Sequence, residues 1–154
     1  MSHSANSEKF MMGEFEAVFP VDRLYARNLM WAFPGESVTR FGFSAYAVRL
    51  LQDVYFLDWE LEPPRVLQAR QEMGSIESKK AESSIYCPTD GKLIALNEIL
   101  LNDPSAINVD KYGEGWLFEM QVSEPDFLTA KQYIEHLETV WQDAQKTIKG
   151  QMNQ

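Results

Sequence analysis

The chain has 154 residues, 45% of them hydrophobic and 24% charged, the size and balance of one domain with enough apolar side chains for a core. Its 23 acidic against 14 basic residues give a net charge of −9, which repels phosphate backbones and anionic lipid and so argues against nucleic-acid and membrane-surface roles. One cysteine cannot form an intrachain disulfide, and no apolar run approaches the roughly 18 residues of a membrane span, so the expected setting is the reducing cytoplasm.

The polar start of the chain predicts a disordered segment over residues 1–12, and nothing in Met1–Phe10 has the basic and apolar regions of a secretory signal. Phe15–Phe19, Tyr25–Phe33 and, past the turn Pro34-Gly35-Glu36, Val38–Phe43 read as strands rich in aromatic and β-branched residues. Ser44 caps a short helix ending at Leu51, with Tyr46, Ala47, Leu50 and Leu51 as its apolar side. Asp53–Glu60 has the content of a buried strand, interrupted by Pro63-Pro64, neither of which can donate to a ladder.

Val66–Ile76 and Ile85–Cys87 flank a charged tip, Glu77–Glu82. After the turn Pro88–Gly91 come strands at Lys92–Asn97 and Trp116–Val122. Ser123-Glu124-Pro125-Asp126 then combines a cap, an early proline and an acid, and predicts the start of a helix. Phe127, Ala130, Ile134, Leu137, Trp141, Ala144 and Ile148 recur at three- and four-residue steps, an amphipathic stripe expected to pack against the strands rather than to meet a partner. The pattern is mainly β with a short internal helix and a C-terminal amphipathic helix.

Most catalytic constellations are missing. Two histidines (His3 and His136) and one cysteine make no zinc-ligand spacing, and there is no P-loop, no GxGxxG and no GxSxG. With so many carboxylates, a paired acid and base cannot be read from sequence alone. If the chain takes part in a reaction, an attached group must carry the chemistry. The segment that stands out is Glu77-Ser78-Lys79-Lys80-Ala81, two lysines between strand-like stretches. By pattern alone such a pair is a solvated turn. It also holds an amine far from the core, within reach of an enzyme that brings an activated acid.

The stretch GSIESKKAESSIYCPTDGKLIALNEIL (Gly74 to Leu100), followed by Asn102-Asp103-Pro104, Asn108 and Lys111-Tyr112-Gly113-Glu114-Gly115-Trp116-Leu117, resembles the H protein of the glycine cleavage system. That family's hairpin reads Glu-Ser-Val-Lys-Ala and is followed by Tyr-Ser-Pro, a Gly turn, Asn-Glu and Tyr-Gly-Glu-Gly-Trp. Weaker similarity runs through Ser44–Ala47 and Asp53–Phe56 back to Tyr25 and Trp31, and forward to Glu124-Pro125 and Tyr133, over roughly residues 20–137. The resemblance implies the lipoyl-domain barrel-sandwich hybrid, with residues 13–137 as the carrier domain and 138–154 as an extended helix and tail. It implies lipoate in amide linkage to Lys80, the lysine before Ala81, while Lys79 stands where the family has Val. Because successive strand side chains face opposite ways, a ligase should discriminate the two. The tip also differs from the Met-Lys-Met of biotin carriers. Glu77, Ser78, Ala81 and Glu82 are the expected recognition features for modification, with Glu77 and Glu82 equally readable as solvating charges.

The implied role is carriage without catalysis. The arm takes an aminomethyl group from glycine decarboxylase (P protein) to the aminomethyltransferase (T protein), and its dithiol to dihydrolipoyl dehydrogenase (L protein), after attachment by a lipoate ligase or completion by lipoyl synthase. The acidic half of the chain, ten acids against two bases from Ala95 to Asp143, is an expected docking field. Several positions depart from the family. Leu29-Met30-Trp31 replaces His-Glu-Trp, Gln52 replaces a Gly before Asp53, Pro63-Pro64-Arg65 is a bulkier turn, and Cys87 replaces Ser. H-like proteins that resemble this chain are associated with lipoyl relay or sulfur oxidation, and an unmodified binding module of the same fold is the third reading. Cys87 is expected to be a semi-buried strand residue rather than a thiolate, His136 a helix-surface residue, and Tyr112–Trp116 a turn with Trp116 in the core.

Overall fold

The computed structural model describes residues 6–123 and 125–152, with residues 145–152 defined by their backbone alone. Glu72–Ser78 illustrates how its strands arise. Gly74, Ile76 and Ser78 are buried while Ser75 and Glu77 between them are half-exposed, the period-two signature of a strand with one buried face; Met73 is buried too, at the register irregularity that opens the strand. In chain order the first elements are β1 (Ser7–Met12), β2 (Phe15–Pro20), β3 (Leu24–Tyr25), β4 (Met30–Pro34), β5 (Thr39–Phe43), α1 (Ala45–Leu51) and β6 (Val54–Trp59). They are followed by β7 (Arg65–Leu67), β8 (Glu72–Ser78), β9 (Glu82–Tyr86), β10 (Gly91–Leu96), α2 (Ile99–Asn102), α3 (Ala106–Val109), β11 (Phe118–Val122) and α4 (Ala130–Met152).

Strands β3-β4-β5-β11-β10-β7 form a six-stranded antiparallel sheet, β6-β8-β9 a three-stranded one, and β1 and β2 pair with each other. Met30, Phe41, Leu93 and Phe118 of the larger sheet meet Leu57, Met73, Ile76 and Ile85 of the smaller, and Val48 and Leu51 of α1 join that core. Each such side chain contributes about 1.5–3 kcal/mol by leaving water. The sheets stay open, so the architecture is a mainly-β sandwich rather than a closed barrel. A second cluster lies outside it. There Phe10, Met12, Ala17 and Phe19 of the β1–β2 hairpin pack with Tyr25, Trp31 and Tyr46 and with Ala130, Tyr133 and Leu137 of α4. Strand β4 therefore serves both cores, Met30 and Ala32 on one face and Trp31 on the other.

The expected disorder over residues 1–12 is corrected by β1, whose Phe10 and Met12 are buried against β2 and α4; residues 1–5 lie outside the described residues. Tyr25–Phe33 is not one strand but a hairpin. Asn28 Oδ1 accepts the Met30 N–H, an Asx turn that reverses the chain so Tyr25 pairs with Trp31. Val66–Ile76 is likewise split, because Arg70 adopts φ +71° and sends the chain from β7 in one sheet to β8 in the other. Strand β6 is exposed on one side, with Tyr55 at 62% and Phe56 at 46%, so it is not the fully buried strand its composition suggested.

Helix α4 begins at Ala130, later than the Ser123–Asp126 signal. Leu128 is captured by the edge of β3 through reciprocal bonds with Tyr25, 2.7 and 2.8 Å, which keeps that stretch extended. The true start is a capping box: Thr129 N–H donates to Gln132 Oε1 (2.9 Å) and Gln132 N–H to Thr129 Oγ1 (3.2 Å). The inward stripe is Ala130, Tyr133 and Leu137, packed on the hairpin and β3, and α4 runs unbroken through the expected division at residue 138. Helices α2 and α3 occupy a stretch that the sequence left unassigned. In the turn before β11, Trp116 is half-buried under the Arg40 guanidinium (4.3 Å), and Leu117 enters the core in its place. Glycine is needed at 115 for room, since a Cβ there would lie 2.5 Å from the Ala106 carbonyl oxygen.

Candidate functional site

Strands β8 and β9 form a hairpin whose last strand pair is Glu77 opposite Glu82. Beyond it, Ser78 N–H donates to the Ala81 carbonyl at 2.8 Å and leaves Lys79 and Lys80 as the two loop residues. Two-residue hairpin loops usually require positive φ in at least one of those residues, and neither lysine has it. Ser78 supplies an alternative closure. Its Oγ accepts the Ala81 N–H (3.2 Å) and donates to the Ala81 carbonyl (3.1 Å). Ser78 is 5% exposed, so it faces inward, whereas Lys79, Lys80, Ala81 and Glu82 are exposed and Glu77 is half-buried.

The tip leans on the junction between α1 and β6. Lys79 N–H donates to the Asp53 carbonyl (2.8 Å), and Lys80 N–H makes a longer bond, 3.4 Å, to the Leu51 carbonyl. Between those acceptors sits Gln52, at φ 59° and ψ −137°, a conformation that favours glycine. Here the structure explains why the resemblance places Gly at this position. From the other side, Asn108 of α3 donates through Nδ2 to the Gln52 carbonyl (2.5 Å) and accepts the Val54 N–H at Oδ1 (2.8 Å). Among the described residues the ion pairs are Lys9–Glu16, Asp22–Arg23, Arg27–Asp126 and Arg40–Glu119, and none engages either lysine of the tip. The arrangement is a hydrogen-bonded backbone bend carrying exposed amines, suited to being modified and presented.

The other candidates lie elsewhere. Cys87 follows β9, about 20 Å along the strand direction from Ala81. It is 2% exposed, with its thiol directed to the Thr89 carbonyl (3.1 Å), and burial pushes its pKa up to about 11, so it is a core thiol and not a thiolate. Cys87 also borders a cleft of about 860 Å³ with Asn28, Arg70 and Tyr86, at the opposite end of β9 from the lysines. His136 Nε2 lies 2.9 Å from the Arg27 carbonyl, and among the described residues no group of His, Cys, Asp and Glu is placed to hold a metal ion. Of the altered His-Glu-Trp positions, Met30 is core and Leu29 is 37% exposed.

Sequence reading missed what supports the bend: Ser78 as a closure, the Leu51 and Asp53 carbonyls, and the contacts of Asn108, which stood only as one residue of the family resemblance. A serine immediately before a two-residue loop is a weak turn signal. Nothing local marks Asn108, whose partners are 54 and 56 positions away.

The family model described as Glycine cleavage H-protein matches residues 23–144. A glycine cleavage system H protein of Methylacidiphilum infernorum is 35% identical over 124 residues, covering 80% of this chain and 96% of that protein. One from Rubrobacter xylanophilus is 38% identical, covering 79% and 97%. The crystal structure of a glycine cleavage system H protein from Mycobacterium marinum superimposes with a TM-score of 0.69 at 30% identity, covering 78% of this chain and 99% of that one. The β1–β2 hairpin precedes the matched span.

Proposed function

The chain belongs to the glycine cleavage H-protein family, and from that premise we propose that it is the system's lipoyl carrier, with lipoate in amide linkage to Lys80. The observation that carries the assignment is the bend itself: an exposed lysine, preceding Ala81, at the end of a hairpin whose backbone is bonded from both sides. Lipoate so attached would supply a disulfide as the acceptor of the aminomethyl unit at the glycine decarboxylase, and the dithiol left once the aminomethyltransferase had taken that unit would be the substrate of the dihydrolipoyl dehydrogenase.

The chain's own residues do three things. Lys80 Nζ, deprotonated, forms the amide bond to the acyl carbon of lipoyl adenylate, which a lipoate ligase makes from lipoate and ATP; the anhydride C–O bond breaks, AMP leaves, and the proton goes to solvent. Ser78 keeps the bend closed, and the carbonyls of Leu51 and Asp53 hold it against α1 and β6. Tethering then raises the arm's effective concentration at each partner enzyme. Glu77, Ala81 and Glu82 offer the modifying enzyme, ligase or lipoyl synthase, its local features. No helix among the described residues is long and apolar enough to cross a membrane, and a cytoplasmic setting suits the lone buried thiol.

The test is intact-mass analysis after incubation with a lipoate ligase, ATP and lipoate. One adduct, lost in Lys80→Arg and kept in Lys79→Arg, supports the reading; an unmodified wild type overturns it. A second reading keeps the arm and changes the client, and it draws on Met30, which is buried in the core where relatives offer a polar group. Reconstitution with decarboxylase, transferase and dehydrogenase separates the two, because a lipoylated chain that supports no glycine turnover serves another client.

A further inference from the structure

We infer that Asn108 is a positioning residue for the lysine bend, acting through the Gln52–Val54 backbone to decide which lysine is presented for acylation. The inference rests on the carrier reading above and adds a residue on a different element, remote in sequence from the lysines. The chain of contacts is short. Asn108 Nδ2 donates to the Gln52 carbonyl at 2.5 Å, Oδ1 accepts the Val54 N–H at 2.8 Å, and the carbonyl between them, on Asp53, accepts the Lys79 N–H at 2.8 Å. A carbonyl only accepts and an N–H only donates, so a primary amide in one orientation is what satisfies both. No hydrocarbon side chain could do so.

The anchored backbone needs this help. Gln52 holds φ 59° without glycine's freedom, and the pairing of β6 with β8 carries a register irregularity between Val54 and Phe56. The β6–β8 pairing ends at Val54 opposite Ser78, so the two lysines lie just beyond the ladder that fixes the register. Lys79 and Lys80 continue β8 into the loop, so a slip of β8 by one residue against β6 would bring Lys80 to the place that Lys79 now holds beside the Asp53 carbonyl. Asn108 spans the segment from Gln52 to Val54 and pins it from α3, so the Lys79 N–H has one acceptor at one place.

The experiment uses the full chain as wild type, Asn108→Ala, Asn108→Asp and a neighbouring control, Val109→Ala, whose side chain is 83% exposed. Each is incubated with a lipoate ligase, ATP and lipoate, and peptide mass analysis reads the initial rate and the ratio of adduct on Lys80 to adduct on Lys79. In both Asn108 variants the Lys80 rate falls by about tenfold to a hundredfold, as for a misplaced reacting group, and adduct appears on Lys79. The control keeps the wild-type rate and ratio. Asn108→Asp retains the acceptor for Val54 N–H but sets a carboxylate oxygen against the Gln52 carbonyl, and it carries the same readouts if the alanine variant does not fold. A purely stabilising role would lower the melting temperature and leave the Lys80-to-Lys79 ratio where it is; that outcome, or wild-type rate and ratio in both variants, overturns the inference. If the wild type accepts no lipoyl group, the carrier reading falls, and hydrogen exchange of the Lys79 amide still decides the role of Asn108. Exchange faster by about tenfold in the variants supports the clamp, and unchanged exchange removes it.

Discussion

Glu77 and Glu82 stand directly opposite each other across the β8–β9 hairpin, one pair below the two lysines. Like charges so placed destabilise a hairpin by about 0.2–1 kcal/mol. A pair that costs stability and borders the lysine proposed for modification is explained if the modifying enzyme uses the carboxylates. Glu82→Thr should therefore raise stability by about 0.5 kcal/mol, a gain that shrinks with added salt, while slowing lipoyl transfer to Lys80. Urea melts and initial rates measure the two effects; a variant that is both more stable and modified at the wild-type rate would show the glutamates to be solvating charges only.

Gln52 occupies backbone space that suits glycine, at φ 59° and ψ −137°. Relief of that strain, set against glycine's greater loss of freedom on folding, predicts that Gln52→Gly stabilises the chain by about 0.5–1 kcal/mol. A β-branched residue there should do the reverse. Denaturant midpoints at an unchanged slope test this, and a lower midpoint for the glycine variant would contradict the strain argument.

Phe19 is fully buried and meets the stacked rings of Tyr25 (5.9 Å, 74°) and Tyr133 (5.6 Å, 70°) edge to face. Phe19→Ala should cost about 3–5 kcal/mol by the cavity it leaves. The damage belongs to the cluster joining the hairpin to α4, while the lysine bend stands on the sandwich core. Below the variant's melting temperature, lipoyl transfer to Lys80 should proceed at the wild-type rate. A parallel loss of transfer would show the two cores to be coupled.

Tyr25 and Tyr133 are fully buried and Tyr46 nearly so, and burial raises the pKa of all three above the ordinary 10.0. The folded state then holds these phenolic protons more tightly than the unfolded chain. Their contribution to stability is complete below about pH 10 and is lost as pH rises beyond it, toward their folded values. Heating or urea melts from pH 8 to 12 should show a flat stability that falls above about pH 10, with the buried tyrosinates appearing only on unfolding. Tyr25→Phe removes one such proton and should make the alkaline fall shallower, despite losing the hydroxyl's bond to the Pro20 carbonyl (2.6 Å). An equally steep fall would assign it to other groups.

Much of this was legible because it is local. The period-two runs at Phe15–Pro20 and Thr39–Phe43, the Ser44–Leu51 helix, the turn at Pro88–Gly91 and the Glu77–Glu82 tip each depend on neighbours within a few positions. Where local signals competed with distant partners, the partners won. Tyr25 took Leu128 as an edge partner and delayed α4 past its apparent cap, and β1 formed from residues that read as disordered because its apolar face is buried against β2, α4 and the Tyr25–Tyr133 cluster.

The amino-acid order alone was enough to place the lysine pair on a bend between strands, since two lysines flanked by β-forming runs have few other places to go, and it was the resemblance to the family that pointed to Lys80 rather than Lys79. What only the folded chain decided is how that bend is held: Ser78 turned inward, the Leu51 and Asp53 carbonyls receiving the lysine N–H groups, and Asn108 fastening Gln52 and Val54 from α3. Hydrogen bonds depend on distance in space and not on separation along the chain, so a residue more than 50 positions away can act as a near neighbour with nothing in the local sequence to show which atoms it meets.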